Sequence, residues 1–446
     1  MESRKATIGV YVPPGRRSDG NGKSSGSKPK QTTSQKESSP RQKMPNCCED
    51  DVQNDEDDSL SVQKTEKSPK EQKSAGRRGR AVDKKVLQSE EFPIIERKIQ
   101  RKVQNLGERK VIERKEPEKR DGWRPRPTDA YRSESMSLEK FHANEVPYID
   151  SHCHTDFIYE YFRRGKSTDH EGLCKWVEQC SDGFPRSFAG LIANFIQPPL
   201  FVKTRETQKE YDLEWIAEEL NSTPLYLGTT WGCHPHHAQR WCYSDDFWNT
   251  LEGVLSEKKR FRVVAVGECG IDLHRCQTDL EVQKLVFERH VVLAFKYDLP
   301  LVIHCRNGAK GQSEDTCLEI ISKIMAENHN YLHIHRHCFT EDWETAKKWL
   351  SRFPSVHFGF TGGIFQFREN QLEAIRRIPL DRILLETDGP YFKPKIFDGV
   401  GPHKACLPGM AIATAFRIAE LKGITPEEVL RATYNNTKRL YKLAVF

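Results

Sequence analysis

Residues 262–304, RVVAVGECGIDLHRCQTDLEVQKLVFERHVVLAFKYDLPLVIH, hold the pattern that decides the fold. A short β-branched run (262–268) leads to a long amphipathic segment from Thr278 to Asp298, and a second apolar run (299–304) closes it. Such short runs read as buried strands and the segment between them as a helix, so the stretch is one strand, helix, strand unit with parallel strands. The same texture recurs on both sides. Further strands are expected at 146–152 (VPYIDSH), 187–195, 224–232, 331–337 (YLHIHRH), 356–362 and 382–388 (RILLETD), which makes eight in all. Helical segments lie between them, as at 313–328, and two more (407–423 and 425–441) follow the last strand. Eight strands alternating with helices over roughly 300 residues fit a closed parallel (β/α)8 TIM barrel. An open doubly wound sheet is the alternative, and no GxGxxG after the first strand supports it.

Upstream the texture changes. Residues 1–140 carry 33 Lys and Arg against 24 Asp and Glu, while the remainder carries 37 against 40, so the positive balance of the chain belongs to this tail. Few apolar residues stand among its Ser, Lys, Arg, Glu and Gln, and such a composition cannot bury enough surface to offset the entropy of folding. We expect residues 1–140 to be a disordered tail and 145–446 to be the barrel. The basic stretch from AGRRGRAVDKK through ERKIQRKVQNLGERKVIERK reads as a nuclear localisation signal, as a nucleic-acid tether, or as a plain solvated charge run. The chain has 13 cysteines without a CxxC pair, an odd count that argues against a disulfide framework and for a reducing compartment. No run approaches the length needed to cross a bilayer, so the expectation is an intracellular protein without membrane contact, monomeric, and nuclear or otherwise cytoplasmic.

All 16 histidines lie beyond residue 140. Several stand with acidic residues at the C-terminal ends of the expected strands: His152 and His154 at the first, His234 after the third, Glu268 at the fourth, His304 at the fifth, His337 at the sixth and Asp388 at the eighth. In a barrel those ends converge on the mouth where active sites are built. Imidazoles and carboxylates sharing one small bowl lose hydration, and divalent metal resolves the conflict. His152 and His154 have the two-residue period of a strand, so both rings face one side. A lone HxH more often just satisfies backbone groups; the agreement of several strand ends carries the argument. Of the three alternating histidines in the sixth strand only His337 is nearest the mouth, and His333 and His335 read as buried core residues. His234 reads as a phosphate contact, His236 and His237 as loop surface, and His274 and His403 as groove positions with no assigned role. Cys153, Cys233, Cys269, Cys305 and Cys338 read as small core fillers.

The motifs IDSHCHTDF (149–157), GCHPH (232–236), VGECGID (266–272), VIHCRN (302–307), HCFT (337–340) and LLETDGPYF (384–392), in that order, resemble the TatD family of metal-dependent nucleases in the amidohydrolase superfamily. The likeness covers about 147 to 443. It implies one divalent ion among His152, His154, Glu268 and Asp388 and a second among Glu268, His304 and His337, with Glu268 as the bridge. Mg2+ is the expected ion, with Mn2+ or Zn2+ as alternatives. The reaction implied is hydrolysis of DNA or RNA phosphodiester bonds. Asp388 is then the candidate general base; Arg306, His234 and Lys393 are candidates to hold phosphate oxygens, and Glu386 to orient a ligand. Cys269, Gly389 and the Thr340-Glu341 pair depart from the usual family residues. Two other readings are a hydrolase of a small ester or amide and a non-catalytic nuclear scaffold. The former often bridges its metals with a carboxylated lysine at a strand end, where this chain has Glu268.

Overall fold

A computed structural model describes residues 101–102, 136–163, 183–196, 213–274, 276–308, 312–328, 330–400 and 405–443. Most of the basic tail and His403 lie outside the described residues. Helix α1 (Leu138–Ala143) is started by Ser137, whose hydroxyl accepts the Lys140 N–H, and it buries Phe141 against Phe397 and Phe416. The packed structure therefore begins several residues before 145. Helical Arg101 and Lys102 also belong to the described structure, and the Lys102 ammonium lies 2.6 Å from a Glu288 carboxylate oxygen.

Eight parallel strands follow in the order of the chain: β1 (Tyr148–Cys153), β2 (Phe188–Phe195), β3 (Tyr226–Trp231), β4 (Val263–Asp272), β5 (Leu301–Arg306), β6 (Ile334–Arg336), β7 (Val356–Phe360) and β8 (Ile383–Leu385). Each pairs with the next, and just beyond β8 two backbone bonds close the ring: Asp388 N–H to the His152 carbonyl (2.9 Å) and His154 N–H to the Gly389 carbonyl (2.8 Å). The outer faces of the strands pack on α2 (Thr155–Arg163), α3 (Leu213–Ser222), α4 (Ala238–Trp241), α5 (Asp245–Ser256), α6 (Leu280–Lys296), α7 (Ser313–Asn328), α8 (Trp343–Arg352), α9 (Glu369–Arg377), α10 (Ala411–Lys422) and α11 (Pro426–Leu440). Helix starts follow the local chemistry. The Asp279 carboxylate caps α6 at the Glu281 N–H, and Thr425 with Glu428 forms a capping box ahead of α11, with Pro426 in the first turn.

A second, smaller core fills the lumen: Ile192, Ala265, Val302 and Leu384 from four strands pack with Leu440 and Tyr441, so the end of α11 plugs the lower part of the barrel. Above that layer the inward residues become polar. The strands differ from the sequence reading mainly at their C-terminal ends. β4 runs on to Asp272, so Glu268 stands within it, whereas the ladder of β8 stops at Leu385 and Asp388 adopts a left-handed backbone (φ +54°). Gly270 shows what the β4 and β5 pairing demands: a Cβ there would collide with the His304 carbonyl oxygen, so only glycine allows this approach.

Candidate metal centre

Glu268 is buried in the lumen, and its two carboxylate oxygens face different neighbours. Oε2 lies 3.3 Å from His152 Nε2 and 3.6 Å from His154 Nε2. Oε1 lies 2.8 Å from His337 Nε2, 2.9 Å from His304 Nδ1 and 3.7 Å from His234 Nε2. Asp388 Oδ1 joins the first group, 3.1 Å from His154 Nε2 and 3.5 Å from His152 Nε2. One carboxylate thus stands between two groups of convergent donors.

The far edges of the rings are held so that lone pairs face inward. His154 Nδ1 lies 3.2 Å from the Asn194 carbonyl, to which only an N–H can donate, and this leaves Nε2 as the acceptor in the cluster. His304 Nε2 lies 3.1 Å from Asp272 Oδ2, which leaves Nδ1 facing Glu268. Asp272 is anchored in turn, with its backbone N–H donating to Gln283 and its Oδ1 accepting the His274 N–H. A carboxylate behind a ligating imidazole is the arrangement that fixes tautomer and ring orientation at metal sites. The structure also leaves His152 Nδ1 and Nε2, Glu268 Oε2 and His337 Nδ1 buried without a hydrogen bond. Buried polar atoms are almost always paired, and nitrogen and carboxylate donors aimed at one another fit a divalent cation.

Charge reinforces this reading. Burial pushes the Glu268 carboxyl up, but the charge of His337 and the contacts with His152 and His304 outweigh it and hold the group well below the usual carboxylate range. Asp388 is likewise held low, burial being overcome by His152 and His154. Burial alone would lower His152, yet Asp388 and Glu268 raise it to about 10. Without a cation, the cluster balances its carboxylates with a proton on an imidazole.

Glu386 lies one layer deeper. Its Oε1 accepts the Cys338 N–H at 2.5 Å, and its carboxyl occupies space left by Gly359, where a Cβ would collide with it. A Gly359→Ala substitution is expected to push Glu386 off His337 and His335, lowering stability by about 1–3 kcal/mol through overpacking. Thermal unfolding of the variant measures that loss, and a chelator titration measures the accompanying fall in cation affinity.

The six residues expected at strand ends, His152, His154, Glu268, His304, His337 and Asp388, meet in this cluster. His234 joins them, its Nε2 3.3 Å from His304 Nδ1, as a member of the cluster rather than an outlying contact. His236 is not loop surface: it is partly buried, with Nε2 3.2 Å from Asp272 Oδ2, because the turn of Pro235–His237 folds GCHPH back over the end of β4. His237 is half-buried too. His333, expected in the core, is exposed, since it precedes β6 at the end away from the mouth, whereas His335 is fully buried. Cys153, Cys233, Cys269 and Cys305 are buried, but Cys338 is only half-buried, at a left-handed turn (φ +44°) after β6. Arg306 ends β5 half-buried, and the Lys393 ammonium donates to the Val400 carbonyl at 2.6 Å. His274 is exposed. Asp272 and Asp150 were missed by the sequence reading. Asp272 has the same strand parity as Glu268, a signal that could have found it. Asp150 is buried under β8, accepting the Thr387 hydroxyl and the backbone N–H groups of Thr387 and His152, and burial nevertheless raises its carboxyl to about 8.

An eight-stranded parallel barrel with a buried cluster of histidines and carboxylates among its inward residues defines a metal-dependent hydrolase of the barrel type. The family model described as TatD related DNase matches residues 149–442, and the chain belongs to that family. It is 34% identical over 325 residues to human "3'-5' RNA nuclease TATDN2", a match that covers 72% of this chain but 38% of that protein, so the chain spans well under half of that relative. It is 30% identical over 222 residues to the "3'-5' ssDNA/RNA exonuclease TatD" of Erwinia tasmaniensis, covering 49% of this chain and 80% of the relative. Among solved structures, a TatD family hydrolase from Entamoeba histolytica aligns with a TM-score of 0.52 at 21% identity, covering 68% of this chain and all of that one, a likeness of fold.

Proposed function

We propose that this protein is a metal-dependent nuclease that hydrolyses phosphodiester bonds of single-stranded RNA or DNA from the 3' end. The observation that carries the proposal is the position of Glu268, one oxygen toward His152, His154 and Asp388 and the other toward His304, His337 and His234. The printed activities of the human and Erwinia relatives support the substrate class and direction. Two divalent cations held by these groups would supply positive charge against the phosphodiester and make water nucleophilic near neutral pH. His152, His154, Glu268 and Asp388 would hold one, and Glu268, His304 and His337 the other, with His234 beside the second. Asp388, kept ionised by its two histidines, would take the proton of the attacking water. Asp272 holds His304 in its inward-facing tautomer, and the charge of Glu386, 3.8 Å from His337 Nδ1, would favour the matching tautomer of His337. His234 and Arg306 would bind phosphate oxygens at the mouth; Lys393 would have to release the Val400 carbonyl, and His236 the Asp272 carboxylate, to do so.

The test is cleavage of 5'-labelled single-stranded RNA, single-stranded DNA and duplex by the purified protein with Mg2+, Mn2+ or Zn2+. A ladder shortening from the 3' end is expected with at least one ion and none after chelation. Absence of cleavage under every ion sinks the proposal, and internal cuts overturn its direction.

Cation uptake is also expected to release protons, because His152 is raised to about 10 and must lose its proton to become a ligand. The sign follows: below that value the ring is protonated, so affinity rises with pH, roughly tenfold per unit for each proton displaced. Calorimetric titration in buffers of different ionisation enthalpy measures the proton count.

We further propose that the basic stretch around Arg77, Arg78, Arg80, Lys84 and Lys85 tethers nucleic acid and directs the chain to the nucleus, since the barrel portion is slightly acidic. Replacing these five by Gln is expected to reduce the slope of log K against log salt by about 0.7 for each phosphate of a single strand that the tail ceases to neutralise. Cleavage of short oligonucleotides should be unchanged, and an unaltered salt slope would remove the tether.

A further inference from the structure

His335 stands one strand period below His337 on the inward face of β6, deeper in the lumen. Its Nδ1 lies 2.6 Å from the hydroxyl of Tyr441, in the segment that follows α11 and plugs the barrel. Its Nε2 lies 2.9 Å from Glu386 Oε2. Glu386 Oε1, besides accepting the Cys338 N–H, is 3.8 Å from His337 Nδ1. All four side chains are buried. A polar column thus runs from the C-terminal segment to a member of the cluster around Glu268, through Glu386 and through His335, which the proposed chemistry does not use.

With Glu386 ionised, one arrangement of protons suits this column. A carboxylate oxygen 2.9 Å from His335 Nε2 calls for an N–H there, because a ring lone pair at that distance would face negative charge. Nδ1 is then an acceptor, and Tyr441 donates to it rather than to the Ser151 carbonyl 3.3 Å away. With Oε2 turned to His335, Glu386 keeps Oε1 for the Cys338 N–H, and its charge 3.8 Å from His337 Nδ1 favours the proton on that nitrogen, which leaves the Nε2 lone pair of His337 for a cation beside Glu268. The approach of His335 Nε2 to Glu386 Oε2 is bent out of line for a hydrogen bond. The ring must therefore be held from its opposite edge, and the bond from Tyr441 is there.

We propose that Tyr441 and His335 are positioning residues that act through Glu386 on His337, so that the C-terminal segment sets the cation affinity of the centre. The proposal rests on the reading that the cluster holds divalent cations. Its test compares Tyr441→Phe with Tyr148→Phe in the full chain. Tyr148→Phe also removes a buried tyrosine bond, that of the hydroxyl to the Gly409 carbonyl (2.6 Å), but at the start of β1. Two quantities are measured: affinity for Mn2+ and Zn2+ by chelator competition, and the tautomer of His335 from nitrogen-15 spectra of the cation-free protein. Tyr441→Phe is expected to weaken cation binding about tenfold and to populate the Nδ1–H tautomer of His335. Tyr148→Phe should change neither, whatever its thermal stability. Wild-type affinity and tautomer in Tyr441→Phe, or equal weakening in both variants, would overturn the proposal. If the wild-type chain binds no divalent ion, the cation reading fails, and the tautomer alone decides whether Tyr441 orients His335.

Discussion

A Glu268→Gln protein is expected to keep its barrel and lose nearly all cleavage of nucleic acid. The amide matches the carboxylate in volume, so the lumen stays filled. However, one of its two ends now carries N–H in place of a lone pair, and the negative charge between the two donor groups is gone. Whichever group meets the N–H loses a ligand, and the other loses the charge that made it attractive to a cation. Since removing a single preorganised donor from an active site costs about 10^2–10^3 in rate, and Glu268 serves both groups, a loss of at least ~10^3-fold is expected. Metal analysis should show fewer bound ions per chain than in wild type, and single-turnover cleavage measures the rate. A variant that kept a tenth of the wild-type rate would remove Glu268 from the centre of the chemistry. Stability in the cation-free state carries a further sign. Glu268 is held below its ordinary value in the folded chain, so its contribution is present at neutral pH and is lost as pH falls through the carboxylate range. The acid side of the stability profile should accordingly be flatter in Glu268→Gln.

The second large effect is structural and lies just behind the site. Arg336 projects from the outer face of β6 and is almost fully buried with Glu314 of α7. Its Nη2 is 2.7 Å from Glu314 Oε1 and also donates to the Cys305 carbonyl, while Nη1 donates to the His337 carbonyl at 2.5 Å. The Trp349 indole completes the set, donating to Glu314 Oε2 at 2.7 Å. Arg336 therefore ties together the backbone beside His304 and that of His337 itself. In Arg336→Met the methionine fills part of the space, but Glu314 is left as a buried charge with the indole as its partner and two carbonyls lose their donor. Breaking such a pair costs about 3–5 kcal/mol. The double variant Arg336→Met with Glu314→Leu removes both charges and is expected to recover a substantial part of that loss, because replacing both partners by apolar groups is often near neutral. Thermal unfolding of the two proteins makes the comparison, and equal melting temperatures would show that the charge pair is not what stabilises this junction.

Much of the site was legible before any coordinates. His152, Glu268, His304 and Asp388 follow or stand in short apolar runs, and in a parallel barrel every such run delivers its C-terminal end to the same mouth. Asp272 escaped because the run was read as ending at Glu268. The chain continues through Gly270, a residue that normally weakens a strand but here permits the close approach of β5. His236 escaped for a related reason: PHH reads as a surface turn, and only the packing of that turn against β4 turns it inward. His333 was misplaced because alternation gives the face of a residue and not its depth along the barrel.

The amino-acid sequence alone determined the eight-fold strand and helix alternation, the likeness to the family, and six of the imidazoles and carboxylates of the cluster, since these depend on local periodicity and on motifs of a few residues. Only the tertiary structure decided which oxygen of Glu268 faces which group, that Asp272 stands behind His304, and that Tyr441 reaches His335 across 106 positions of chain. Those facts depend on the closure of the barrel and on the C-terminal segment turning beneath it. Distances between side chains on different strands are set by the pairing register and tilt of the whole sheet, which no short stretch of sequence contains.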